Sequence, residues 1–307
     1  MTMTVAHAEG RAGAWLVAVR PRTLPAAVGP VLVGLGVGIA QGAFDALIAL
    51  ACLAVALLLQ VAANLSNDLF DHRSGADAAD RLGPARAAAS GLLSERDLAV
   101  GTAICLGAAG LVGLVLVARG GPLLLVLGAL CMVLAVAYTG GPFPYGYRGL
   151  GEVAVFLTFG VLAVAGTAFL QTGAWSALAI AASVLPGCLV TAILVVNNLR
   201  DIGPDTRARK VTLAVRFGAR FARLEYLVLL VVAYTVPPVL VVTGAVHVAA
   251  VLPLASIPIA LPLLGEVSRE GDPRRLNPVL AGTARLGLVA CVLFAVGLSL
   301  DGVVRWP

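Results

Sequence analysis

A-L-I-A-L-A-C-L-A-V-A-L-L-L-Q-V-A-A-N-L-S-N-D-L-F-D runs from Ala46 to Asp71 and divides into two unlike parts. Up to Ala63 it is apolar apart from Gln60, close to the roughly 20 residues a helix needs to cross a bilayer's hydrocarbon core. From Asn64 onward it is crowded with Asn, Ser and Asp. On a helix, spacings of three, four and seven place side chains on one face, so Asn64, Asp68 and Asp71 are expected to point the same way. Carboxylates gathered at the mouth of a membrane are costly unless something positive binds there. The stretch therefore predicts a membrane helix ending in a cation site.

The surrounding chain extends the first part of that pattern. Of 307 residues, 60% are hydrophobic and only 12% charged, and the mean hydropathy is +1.00. A soluble domain is about a quarter charged, so this is a polytopic membrane protein whose spans must be helical to satisfy their backbones. Apolar windows fall at 24–41, 45–66, 98–118, 121–138, 151–170, 177–198, 223–243, 246–264 and 280–300. The expected fold is an all-α bundle of about nine transmembrane helices around a central cavity open to the cytoplasmic side. Residues 1–19 read as a flexible arm without the apolar core of a signal peptide, and 20–307 as one transmembrane domain. The five cysteines all lie in apolar runs without C-x-x-C spacing and read as small core residues, giving neither a disulfide framework nor a zinc site.

Charge orients the bundle. Of the 21 basic residues, 17 lie ahead of the first apolar window and in the long linkers 67–97, 139–150, 199–222 and 265–279. The short linkers and the C-terminus hold only Arg119 and Arg305. By the positive-inside rule the N-terminus and long linkers face the cytoplasm and the C-terminus faces outside, in a cell membrane. That rule accounts for most of the arginines, and no nucleic-acid partner is expected.

A second cluster, N-N-L-R-D-I-G-P-D, Asn197 to Asp205, ends the sixth apolar run 133 positions after the first. Both clusters place an Asn four residues before an Asp, with another Asp three or four residues later. Asp oxygens with Asn carbonyls are hard ligands, suited to magnesium, which usually completes its shell with water and substrate phosphates. Two such half-sites across a cavity suit a diphosphate held between metal ions; helix capping or pairing with nearby arginines is the plainer alternative. Lys210 is the only lysine beside 20 arginines, and a compact, flexible ammonium is a common phosphate ligand. The linker Y-T-G-G-P-F-P-Y-G-Y-R-G-L-G-E, Tyr138 to Glu152, concentrates aromatics as a membrane-interface belt or a cavity lip would. R-P-R-T-L, Arg20 to Leu24, is either a juxtamembrane anchor or a substrate contact.

Taken in order, these motifs resemble the UbiA-type superfamily of intramembrane aromatic prenyltransferases, and within it the subgroup acting on 1,4-dihydroxy-2-naphthoate. The resemblance rests on R-P-x-T-L at Arg20, the two Asp clusters at 64–77 and 197–205, R-x-G-P-x-R at Arg81 to Arg86, Y-G-Y-x-G-L-G-E at Tyr145 to Glu152, and T-L-A-V-R-F-G at Thr212 to Gly218. It implies magnesium-dependent transfer of a polyprenyl group from polyprenyl diphosphate to the naphthoate, with loss of diphosphate and CO2, as in menaquinone biosynthesis. It implies magnesium bound by Asn64, Asp68, Asp71, Asp77, Asn197, Asp201 and Asp205, and Lys210 sharing the catalytic charge. Arg22, Arg81 and Arg86 would contact diphosphate, and Tyr145, Tyr147 and Arg148 the aromatic acceptor. The isoprenoid tail would lie in the lipid bilayer.

Two departures stand out. Gly75 occupies the superfamily's usual third Asp position, with Asp77 two residues later, and Arg209 replaces a Gly common in the subgroup. Another acceptor, such as 4-hydroxybenzoate, a chlorophyllide or haem, would use the same metal site. A transporter or divalent-cation channel is the more distant alternative, disfavoured because such proteins carry ionisable groups near the midplane.

Overall fold

The computed structural model describes residues 10–75 and 82–304, and no strand occurs among them. Helix α1 (Gly10–Val19) leads through a 3-10 turn at Pro21–Thr23 into α2 (Pro25–Ala40). There follow α3 (Ala46–Arg73), α4 (Glu95–Gly120) and α5 (Pro122–Ala137). The segment Gly151–Thr172 is one continuous helical span: α6 (Gly151–Val155), a π-helical stretch at Phe156–Leu162, and α7 (Ala163–Thr172). The chain continues with α8 (Ala177–Arg200), α9 (Ile202–Arg207), α10 (Leu213–Val242), α11 (Ile257–Ser268) and α12 (Leu276–Val304).

Local chemistry fixes where several helices start. The Asp45 carboxylate accepts the amides of Leu47 and Ile48 at the head of α3. Ser94 and Asp97 cap each other's backbone amides at the start of α4. Thr212 caps α10 through the Val215 amide. These bonds satisfy amides that the first turn of a helix leaves without intrahelical acceptors.

Packing centres on α2 and α8. Of the apolar window of α8, 72% is buried, against 22–44% in the other long spans among the described residues. Helix α2 lies between α7 and α12. A Cβ on Gly34 would come within 2.6 Å of the Val164 carbonyl, and one on Gly36 within 2.7 Å of the Ala295 carbonyl. Glycine at these two positions lets three backbones approach closely, the usual means of packing helices where water supplies no driving force.

The structure bears on two of the sequence expectations, the number of spans and the N-terminal arm. Among the described residues, seven helices have the length and composition to cross a bilayer; α1 and α2, bent by 46°, make an eighth if taken together, and α5 is a shorter apolar helix. Residues 10–19 are also no flexible arm. They form α1, with Ala14 and Ala18 buried against a small core that includes Leu65, Leu69 and Leu98, while the Trp15 ring covers Gly101. A ten-residue helix falls well below the length by which sequence identifies a span, so composition alone hides it. Residues 1–9 lie outside the described part.

Candidate active site

The two Asn/Asp clusters end α3 and α8, beside the bend between α1 and α2, and there the helices enclose a cavity of about 1040 Å3. Its polar end is lined by Asn64, Asn67 and Asp71 from α3, Asn197 and Arg200 from α8, and Arg20, Arg22, Arg86 and Lys210 from the connecting segments. Away from them the wall is aliphatic, with residues such as Val31, Leu116, Leu124 and Leu170.

On α3 the expected face is rotated. Asp68 is fully buried and absent from the cavity wall; its carboxylate accepts the backbone amides of Ala87 and Ala88 at 3.0 and 3.3 Å. It fastens the turn after Arg86. Asn67 takes its place in the wall, oriented by the Thr139 hydroxyl, which donates to Oδ1 at 2.9 Å. Asn64 donates to the Val19 carbonyl and to Thr23 Oγ1, both at 2.9 Å, and so pins the α1–α2 bend. Of the two matched pairs with an Asn four residues before an Asp, both members of Asn67–Asp71 line the cavity, whereas Asn197 lines it and Asp201 lies outside the wall, held on Arg200. That spacing was present in the sequence beside the Asn64–Asp68 pair, which has the same interval.

Asp71 is buried and doubly held. Arg86 Nη2 donates to Oδ2 at 2.8 Å, and the Tyr147 hydroxyl donates to Oδ1 at 2.7 Å. In the second cluster Arg200, only 2% exposed, binds Asp201 through Nε and Nη2 at 2.8 and 2.6 Å. The same guanidinium donates to Asn197 Oδ1 at 2.7 Å and to Asn277 Oδ1 at 2.9 Å. Asn277, on α12, in turn donates to the Leu82 carbonyl at 2.9 Å.

Asp205, on α9, faces Lys210, whose Nζ is 3.6 Å from Oδ1. Burial pushes the Asp205 pKa up to about 6; Lys210 opposes this, and Asp201 and Asp71 add to it. Because Asp71 belongs to the other cluster, its effect on Asp205 shows the two clusters within electrostatic reach. Tyr147 links them, with Lys210 Nζ 5.1 Å from its ring centre.

The aromatic loop divides between roles. Tyr138 and Tyr145 line the cavity with their rings edge to face at 5.4 Å. Tyr145 donates to the Leu134 carbonyl, and burial holds its pKa near 12, so it stays neutral. Arg148 lies elsewhere, over the Phe143 ring at 3.9 Å, and is not part of the cavity wall. Arg22 reaches the wall at the α1–α2 bend. Asp77 and Arg81 lie outside the described residues.

Residues 27–281 match the UbiA prenyltransferase family. The chain belongs to that family. It is 41% identical to the 1,4-dihydroxy-2-naphthoate octaprenyltransferase of Mycobacterium tuberculosis, covering 93% of this chain and 96% of that protein. The Escherichia coli protein of the same name is 36% identical, covering 95% and 96%. The fold is similar to that of a UbiA homolog from Archaeoglobus fulgidus bound to GPP and Mg2+, with a TM-score of 0.62 at 16% identity, covering 92% of this chain and 99% of that one.

The family's solved structures include magnesium-bound ones, so the fit of this site to such a metal can be tested on its donors. Among the described residues no three carboxylate, His or Cys side chains converge to hold a metal by themselves. Magnesium does not require that, since it usually takes one or two carboxylates and completes its shell with water and phosphate oxygens. The Asn and Asp oxygens at 67, 71, 197, 201 and 205 are hard donors of the right kind. One of them, Asp205 Oδ2, is buried without a hydrogen-bond partner among the described residues. A bare buried carboxylate oxygen is costly, and a cation relieves that cost. The residues fit.

Proposed function

We propose that this UbiA-family protein transfers a polyprenyl group from polyprenyl diphosphate to 1,4-dihydroxy-2-naphthoate, releasing diphosphate and CO2 and giving demethylmenaquinol. One structural observation carries the reading: a single cavity joins a mouth of paired acidic and basic side chains to a long aliphatic interior. That combination suits a ligand with a diphosphate head and an isoprenoid tail. Near-full-length identity to naphthoate octaprenyltransferases supports the choice of acceptor.

In this reading Lys210, Arg86 and Arg22 bind diphosphate oxygens and stabilise the negative charge that grows as the allylic C–O bond breaks. Magnesium, when bound, adds positive charge at the same place; Asn67, Asp71, Asn197, Asp201 and Asp205 would hold it. Asp77 and Arg81, which follow α3 in sequence, remain candidate partners. The aliphatic wall excludes water from the allylic cation, and Tyr138 and Tyr145 shape the space beside it, where the acceptor ring would lie. The ring carbon bearing the carboxylate attacks the cation, and the carboxylate departs as CO2. Asp68, Asn64 and Arg148 act as positioning residues: Asp68 through the turn at 87–88, Asn64 through the α1–α2 bend, and Arg148 within the aromatic loop.

We further propose that residues 20–307 form one catalytic domain crossing a cell membrane nine times, with α2 and α5 as short spans. The site then opens to the cytoplasm and the C-terminus lies outside, as the distribution of arginines suggests. The purified chain should form prenylated product from a polyprenyl diphosphate, magnesium and the naphthoate, and little from 4-hydroxybenzoate. Turnover that persists in excess chelator would remove the metal from the proposal, and preference for another aromatic acid would replace the acceptor.

A further inference from the structure

A second cleft, of about 560 Å3, lies behind Arg200 at the same end of the bundle. Arg200 borders both spaces, but its guanidinium is engaged by Asn197, Asp201 and Asn277. The cleft's other basic residues belong to it alone: Arg207 on α9, Arg223 on α10, and Arg269, Arg274 and Arg275 in the turn between α11 and α12. None of these five borders the first cavity. The acid in the wall, Asp272, accepts the Arg274 amide at 2.9 Å and so caps the turn.

Among the described residues, the carboxylates that meet Arg223 and Arg269 lie at the rim of the cleft. Glu270, 83% exposed, meets Arg223 at 3.3 Å, and Glu266 meets Arg269 at 2.6 Å on the surface. Exposed pairs of this kind contribute little. Arg223 also leans on a weak acceptor, the Arg269 carbonyl at 3.4 Å, while its Nε is buried without a partner among the described residues. Five guanidinium groups around one cleft favour an anion with several oxygens, and phosphate matches their donor geometry.

The position of the cleft narrows the source of that phosphate. Leu227 and Val231 follow Arg223 at one and two helical turns along α10, and both are exposed, by 38% and 53%. In a membrane protein this ridge faces acyl chains, and basic pockets between membrane helices are known sites for anionic headgroups. We infer that the cleft binds the phosphate headgroup of an anionic membrane lipid, with an acyl chain lying along Leu227 and Val231. The inference does not depend on the reaction proposed above.

The test is native mass spectrometry of the full chain in detergent. It is titrated with phosphatidylglycerol, with phosphatidylcholine of the same acyl chains, and with glycerol phosphate as the headgroup alone. The chain should retain phosphatidylglycerol preferentially, and R274Q/R275Q should lower that retention about tenfold without changing the phosphatidylcholine level. If the double variant fails to fold, Arg274→Gln alone carries the comparison, with a smaller loss expected. Equal retention of the anionic lipid by variant and parent would overturn the inference. So would glycerol phosphate binding as tightly as the lipid, which would make the cleft a site for soluble anions.

Discussion

The Tyr147 hydroxyl donates to Asp71 at 2.7 Å while Lys210 lies 5.1 Å from the centre of the same ring. One side chain therefore touches the carboxylate that ends the first helix cluster and the cation that neutralises the second. The connection reaches Asp205 through Lys210, 3.6 Å away. Lys210 is further fixed by its own amide, which donates to the Asp205 carbonyl, and by the next amide, which donates to the Tyr147 carbonyl. The aromatic loop is thus a brace between the two halves of the site.

Tyr147→Phe keeps the ring beneath Lys210 and removes the hydroxyl's bonds to Asp71 and Ser74. A hydrogen bond to a charged group contributes about 1.5–3 kcal/mol, so turnover should fall roughly ten- to a hundredfold. Steady-state rates at saturating prenyl diphosphate measure this. An unchanged rate would mean that Arg86 alone orients Asp71.

Asn67 and Asp68 are neighbours in sequence with opposite expected phenotypes. Asn67→Ala should depress turnover at least a hundredfold, the scale on which loss of charge-stabilising groups acts, while the thermal midpoint in detergent changes little. Asp71→Asn should depress turnover as far but also lower the midpoint, because buried Arg86 loses its charged partner. Asp68→Ala leaves the Ala87 and Ala88 amides without their acceptor, a loss of about 1–3 kcal/mol, and should lower the midpoint clearly. Reversal of these two patterns would return Asp68 to the metal site.

Asp205 sets a pH dependence. Its folded-state pKa of about 6 lies above the ordinary carboxyl value because burial disfavours the ionised form. For a raised pKa, any stability the group contributes is present at low pH and is lost as pH rises through about 6. Cation binding has the opposite slope, since it requires the carboxylate. Apparent magnesium affinity should therefore weaken by up to about tenfold per pH unit below 6 and level off above it. Asp205→Asn should flatten that slope while lowering affinity throughout; a slope that survives belongs to another group.

Arg209 sits in the left-handed region at φ 56°, in the turn that presents Lys210. A side chain in that conformation costs roughly 1–2 kcal/mol, which glycine avoids. Arg209→Gly should raise the thermal midpoint modestly, and Arg209→Val should lower it. A lower midpoint for the glycine variant would show that the Arg209 side chain contributes more than its backbone strain costs.

The sequence by itself determined the medium, the secondary structure class and the ingredients of the site. Runs of about 20 apolar residues with few charges have a stable solution only as membrane helices. The Asn and Asp clusters that end two of those runs bring hard ligands to one end of the bundle whatever the packing details. Tertiary structure decided which ligands face inward. Adjacent helical residues differ by only about 100° in direction, so the choice between Asn67 and Asp68 rested on the turn at Ala87–Ala88, whose amides claim Asp68. Contacts distant in sequence made α1 a packed helix instead of an arm. They also placed Tyr147 between Asp71 and Lys210, and gathered arginines from three separate segments around a second cleft. Local periodicity is written along the chain, whereas the facing of one helix towards another is settled only when their side chains compete for the same space.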